Sequence, residues 1–320
     1  MGNPIGVILV VGAVETKAMR WDELPRSDNV EDRRADGGPR GMPMGRTGGI
    51  GIGTLVILCL IGWALGINPL DLIQGQIGSG TGDSQQQQTQ PAPGREAQAP
   101  SDQMGQFVAA VLGSTEVQWK EIFAAAGKAY QAPTLVMFSG ATRSACGFAQ
   151  AAMGPFYCPN DRKVYLDTSF FQDLERRFRG CEVGSKGCQF SQAYVITHEI
   201  GHHVQNLLGI LPKVQEMQRG LDQAEANQLQ VRVELQADCL AGVWAHHAEE
   251  KWRLIEPGDV EAAMQTASAI GDDRLQRRSQ GYVVPDAFTH GSSAQRTRWF
   301  VAGLKSGELA SCDTFSAQQL

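Results

Sequence analysis

Hydrophobic and polar positions along this 320-residue chain fall into blocks of different character. The block at 49–67, GIGIGTLVILCLIGWALGI, carries no charge and is about as long as a helix must be to cross a bilayer core. Lys17, Arg20, Arg26, Arg33, Arg34, Arg40 and Arg46 precede it, and no Lys or Arg follows until Arg95. The positive-inside rule then predicts one transmembrane helix with the N-terminus cytoplasmic and everything after it outside. The apolar run at 5–14, IGVILVVGAV, is too short to span and has no basic region before it, so the native start is expected at Met19. The remainder of 1–48 is rich in Arg, Asp, Gly and Pro and reads as a disordered cytoplasmic tail. Residues 68–103, rich in Gly, Gln, Ser and Pro, read as a flexible linker.

From 104 to 320 the pattern is that of one globular domain. The segment 104–127 predicts two short helices. TLVMFSG (134–140) and KVYLDTSF (163–170) predict strands, with β-branched and aromatic residues bounded by Gly, Pro, Asn and Asp. Apolar residues at helical spacing predict helices over 170–178, 191–209, 225–250 and 293–307, and Gly209 stands where a helix end favours a left-handed residue. The class is α+β.

Charge changes the picture only by exclusion. A formal net charge of -6 and no basic patch argue against nucleic acid as a partner. The 37 glycines follow no period, which excludes repeat architectures. Of seven cysteines, Cys59 lies in the apolar block and six follow residue 140, an even set that fits disulfides in an oxidising compartment. That agrees with the orientation inferred from the basic residues.

The chemistry gathers in THEIGHHVQ, 197–205. His198 and His202 are four apart, on one face of a helix, and can hold one Zn²⁺; Glu199 projects beside that face as a general base for the attacking water. A catalytic zinc needs a third protein ligand and an open fourth position. Glu234 and Asp238 lie four apart in the apolar run VRVELQADCLAGVW, where unpaired carboxylates would be costly. Glu234 fits the third ligand and Asp238 a partner that accepts a hydrogen bond from a ligand imidazole. His203 points elsewhere and is expected to be structural. His246 and His247 could ligate, but a solvated helix end is the expectation. His290 is expected to face the site and donate to the oxyanion of the scissile carbonyl. Arg296 would support it or pair with Asp238 or another carboxylate. Thr289 or Ser292 would cap the helix that begins there.

MRWDELPRSDNVEDRR (19–34), SACGFAQAAMGPFYCPNDRKVYLDTSFF (144–171), QAYVITHEIGHHVQNLLG (192–209), ELQADCLAGVW (234–244) and DAFTHGSSAQRTRWFVAGLKSG (286–307) together resemble the neutral zinc metallopeptidases, bacterial single-pass membrane proteins. The order of motifs is also similar to gluzincin peptidases such as the CaaX-prenyl proteases, although 289–292 reads THGS where those often carry Pro after His. The resemblance implies a zincin-like domain, a small mixed sheet with active-site helices, attached behind the transmembrane helix. It implies endopeptidase activity on protein or peptide substrates. It also implies one Zn²⁺ on His198, His202 and Glu234, with Glu199 as base, Asp238 behind the ligands and His290 at the oxyanion. The location implied is the bacterial inner membrane, with the catalytic domain periplasmic.

Three further expectations follow. A substrate strand would lie along an edge strand KVYLDTSF. Disulfides are expected at Cys146–Cys158 and Cys181–Cys188, leaving Cys239–Cys312 by elimination or Cys239 as a buried thiol. The rivals to a peptidase are a non-catalytic envelope module held together by zinc and disulfides, and a zinc amidase or deacetylase acting on cell-wall material. A structural zinc site closes all four positions with Cys or His, which the His, His and Glu set here does not.

Overall fold

The three-dimensional structure is a computed structural model that describes residues 19–36, 100–150, 154–176 and 187–320. The apolar block 49–67, most of the linker, residues 1–18 and Cys181 lie outside the described residues. Among the described residues no helix is long and apolar enough to cross a membrane.

Four strands form the main sheet in the order β1 (Val30–Asp32), β2 (Thr134–Phe138), β6 (Lys163–Asp167), β5 (Phe156–Cys158). The first three run parallel and β5 returns antiparallel to β6. Strand periodicity divides the sheet cleanly. Leu135, Met137, Val164 and Leu166 join the large core under the helices, while Val136, Phe138 and Tyr165 pack with Cys158 and Ala149 on the opposite face. Ala149 comes from a hairpin, β3 (Ala141–Ser144) with β4 (Gly147–Gln150), which covers that second face.

Eight α-helices complete the described part. α1 (Gln103–Ala125) is capped by Asp102 and runs unbroken, where the sequence predicted two short helices. Its Gly113 marks a contact and not a break, since a Cβ there would meet the Pro25 carbonyl oxygen at 2.3 Å. α2 (Ser169–Arg176) follows β6, and α3 (Gly187–Leu207) carries THEIGHHVQ. Gly209, at φ 77°, turns the chain into α4 (Ile210–Gln218) as its position predicted. α5 (Gln223–Trp252) starts from an Asp222/Glu225 capping box. α6 (Asp259–Ala269), α7 (Asp272–Gln280) and α8 (Ser293–Ser306) finish the domain, and Ser292 caps α8, not Thr289. Disulfides join Cys146 to Cys158 and Cys239 to Cys312, the latter tying the C-terminal tail to α5. Cys188 is also disulfide-bonded, but the expected pair with Cys181 lies outside the described residues.

Two expectations are corrected. KVYLDTSF is not an edge strand: β6 pairs with β2 on one side and β5 on the other, so among the described residues β1 and β5 are the edges. Residues 19–36 are not a disordered tail. Met19, Trp21, Leu24 and Val30 are buried in the main core, and Trp21 meets Phe107 edge to face. Ser27 and Asn29 bond Glu116 of α1, and Leu135 N–H donates to the Asn29 carbonyl as β1 joins the sheet. Charged residues hide the segment in a composition reading because Asp32, Arg33 and Arg34 line its outer side, where Arg34 pairs with Asp32 and Asp102.

Trp21→Ala is therefore expected to cost about 3–5 kcal/mol, the range for truncating a buried aromatic, measured by denaturant unfolding. A change of less than about 0.5 kcal/mol, the level of a surface substitution, would contradict the docking.

Candidate metal centre

α3 and α5 lie backbone against backbone, and Gly201 makes this possible: a Cβ there would meet the Ala237 carbonyl oxygen at 3.0 Å. That contact sets the HExxH face of α3 against the ELQAD face of α5. His198 Nε2, His202 Nε2 and a carboxylate oxygen of Glu234 converge, all within 4.8 Å of one another. Glu234 Oε2 is 3.2 Å from His198 Nε2 and 3.6 Å from His202 Nε2. All three residues are nearly buried.

The far side of each imidazole is tied down. His198 Nδ1–H donates to Asp238 Oδ1 at 2.9 Å, and His202 Nδ1–H donates to Gln205 Oε1 at 2.9 Å. With those protons placed, the neutral rings would turn both Nε2 lone pairs toward Glu234. In that neutral form three lone-pair donors face one point, an arrangement that fits a cation. Two imidazoles and a carboxylate suit Zn²⁺. Without metal, burial disfavours a charged His198, but Asp238 and Glu234 outweigh it and push the imidazole up to about 10. Burial likewise opposes the Glu234 charge, and His202 and His198 overcome it, holding the carboxyl well below its usual range.

Asp238 is fully buried and fully used. Arg296 of α8 donates to both its oxygens at 2.9 Å, and the Tyr194 hydroxyl donates at 2.5 Å. Burial opposes its charge, yet Arg296 and His198 pull the carboxyl down to about 2. Of the roles open to Arg296, pairing with Asp238 is the one observed. Sequence reading missed four polar groups here. Tyr194 lies four residues before His198. Gln205, three after His202, passes the chain of bonds on to the Val233 carbonyl and to Gln236, which reaches the Cys312 carbonyl. Gln230, four before Glu234, donates to Glu234 Oε1. Helical spacing from the ligand positions was the available signal for all three. Asp272 had none, because its partners are distant in the chain.

Asp272 organises the THG loop. Its Oδ2 accepts backbone N–H groups from Thr289, His290 and Gly291, and its Oδ1 lies 3.3 Å from His290 Nδ1. Gly291 rests on Leu235 and Val231, so the loop lies over α5 beside Glu234. The His290 ring is half exposed. Burial opposes its charge, but Asp272 and Glu234 outweigh that and raise its pKa. Glu199 sits beside the two histidines and is nearly buried.

His203 turns away from this cluster, as expected. Its Nε2–H donates to the Gln131 carbonyl, and Nδ1 accepts from the Tyr157 hydroxyl of β5. Burial lowers its pKa to about 4. A histidine held neutral in the fold stabilises it fully above the ordinary value near 6.5. That contribution fades as pH falls toward 4, because the unfolded chain then binds the extra proton. Wild type should lose up to about 3 kcal/mol between pH 7 and 4 from this group, and His203→Gln should lack that component when unfolding is followed against pH. Arg296→Met, which strands Asp238, should destabilise the fold by about 3–5 kcal/mol in denaturant titrations.

The chain is similar to proteins of bacteria. The uncharacterized protein YpfJ of Escherichia coli (strain K12) is 47% identical over 304 residues, covering 93% of this chain and 99% of that one. The uncharacterized protein Rv2575 of Mycobacterium tuberculosis is 42% identical over 222 residues, covering 67% of this chain and 71% of that one. No solved structure matches. The family model described as "Putative neutral zinc metallopeptidase" matches residues 19–315, which contain the whole convergence of His198, His202 and Glu234, and the chain belongs to that family.

Proposed function

We propose that this protein is a zinc-dependent endopeptidase. The observation that carries the reading is the convergence of His198 Nε2, His202 Nε2 and Glu234 on one point, with both Nδ1–H groups spent on Asp238 and Gln205. In this reading one Zn²⁺ is held by those three residues. When bound it supplies Lewis acidity to the scissile carbonyl and lowers the pKa of water at its open position.

The chain's own residues supply the rest. Glu199 takes a proton from the attacking water and returns it to the leaving amine nitrogen, so the peptide bond breaks with no net change in enzyme protonation. His290, held by Asp272, donates to the oxyanion that forms on the carbonyl. Asp238, Tyr194 and Arg296 hold the His198 ring in place. The substrate adds to the sheet at β5, whose central Tyr157 is bonded to His203 and Asn206 of α3 and so brings the strand alongside the HExxH helix.

The disulfides favour an oxidising compartment, so we place the domain outside the cytosol. Residues 19–36 go with it because they are part of its core. The apolar block 49–67 is read as the membrane attachment.

The test is cleavage of casein by the chain from Met19 onward, since a protein cut before α1 would lose four core residues. Wild type is expected to cleave, and Glu199→Gln to lose about 10²-fold or more in rate while keeping its zinc. A Glu199→Gln protein with full rate would sink the reading. Zinc bound without cleavage by wild type would instead favour a non-catalytic module that has kept the shape of the site.

A further inference from the structure

Away from HExxH, a second set of metal-ligating side chains converges near the end of α5. His246, His247 and Glu250 each offer one donor atom, and the three atoms lie within 4.8 Å of one another. The histidines are not free in solvent. His246 Nδ1–H donates to the Leu304 carbonyl at 2.9 Å, and His247 Nε2–H donates to the Gly307 carbonyl at 2.9 Å. A carbonyl only accepts, so these bonds place the proton of each ring. In the neutral rings His246 Nε2 and His247 Nδ1 are left with lone pairs. Both face the Glu250 carboxylate, at 3.5 and 3.3 Å, long for hydrogen bonds and set acceptor against acceptor.

Two independent features point the same way. Ligand imidazoles are commonly oriented by giving their other N–H to a backbone carbonyl, as both rings do here. The carbonyls belong to the last turn and cap of α8, and the side chains to the last turns of α5, so two helix C-termini direct negative potential at one spot. The rings are also held by shape. Gly307, at φ 68°, has no Cβ, and one would lie 2.4 Å from the His246 ring.

We propose that His246, His247 and Glu250 form a second metal site, separate from the HExxH centre, for a borderline divalent cation such as Zn²⁺. Two nitrogens and one carboxylate oxygen match that class and not Ca²⁺ or Mg²⁺, which take oxygen ligands. The side chains are 27%, 33% and 64% exposed, so water completes the coordination and the site is the weaker, exchangeable one. A metal here ties the end of α5 to the C-cap of α8. These are the helices that carry Glu234 and Asp238 on one side and Arg296 on the other.

The experiment is Zn²⁺ titration of untagged, chelator-stripped full-length protein, followed by calorimetry and metal analysis. Wild type is expected to bind two Zn²⁺ per chain with separate affinities. Glu250→Gln, at an exposed position that leaves the fold intact, and His247→Ala should each weaken the weaker event by more than about tenfold. The weaker event should persist in His198→Ala. A single Zn²⁺ in wild type throughout the titration overturns the proposal and leaves imidazolium–carboxylate pairing as the role of the cluster. So does a second Zn²⁺ that binds unchanged in both Glu250→Gln and His247→Ala, or one that disappears in His198→Ala.

Discussion

The carboxylate of Asp238 is the group on which the arrangement of this protein depends. It has no contact with water, and a lone charge in that place would be several kcal/mol unfavourable. Arg296, Tyr194 and His198 supply what water would have supplied. Each comes from a partner helix, α3 or α8, so satisfying one charge fixes three helices relative to one another. It also decides which nitrogen of His198 carries the proton, and therefore which way its lone pair points. Structure and candidate chemistry share a single cause here.

Close helix packing makes that network reachable. α3 approaches α5 at Gly201, and α5 approaches α8 where Gly242 faces Phe300 and Gly303 faces the Cys239 carbonyl. A Cβ at Gly242 or Gly303 would meet facing backbone at 2.1 and 1.9 Å, and one at Gly201 would be pressed at 3.0 Å, so larger side chains at these points would force the helices apart. The carboxylates of Glu234 and Asp238 would then fall short of the imidazoles. The disulfide from Cys239 to Cys312 holds the tail whose Cys312 carbonyl closes the chain His202, Gln205, Gln236. Both ligand imidazoles are thus oriented by bonds that end in other elements.

The N-terminal segment shows how far composition can mislead. Residues 19–36 are crowded with charge, yet Met19, Trp21, Leu24 and Val30 send apolar side chains into the core, and Gly113 opens α1 to receive Pro25. A tail and a docked strand differ in what lies opposite them.

What the sequence by itself determined was local. The spacing of His198, Glu199 and His202, and of Glu234 and Asp238, specifies shared helix faces because a helix repeats every 3.6 residues whatever surrounds it. The left-handed turn at Gly209 and the short-range pair Cys146–Cys158 were legible too, and the cap of α8 was narrowed to Thr289 or Ser292, of which the structure uses Ser292. Tertiary structure alone decided the choice of Arg296 as the partner of Asp238, the hold of Asp272 on the THG loop, the interior place of β6 and the docking of 19–36. These join residues far apart in the chain. Whether a charge is partnered or a strand is covered depends on which surface folding brings against it, and no pattern within one segment carries that information.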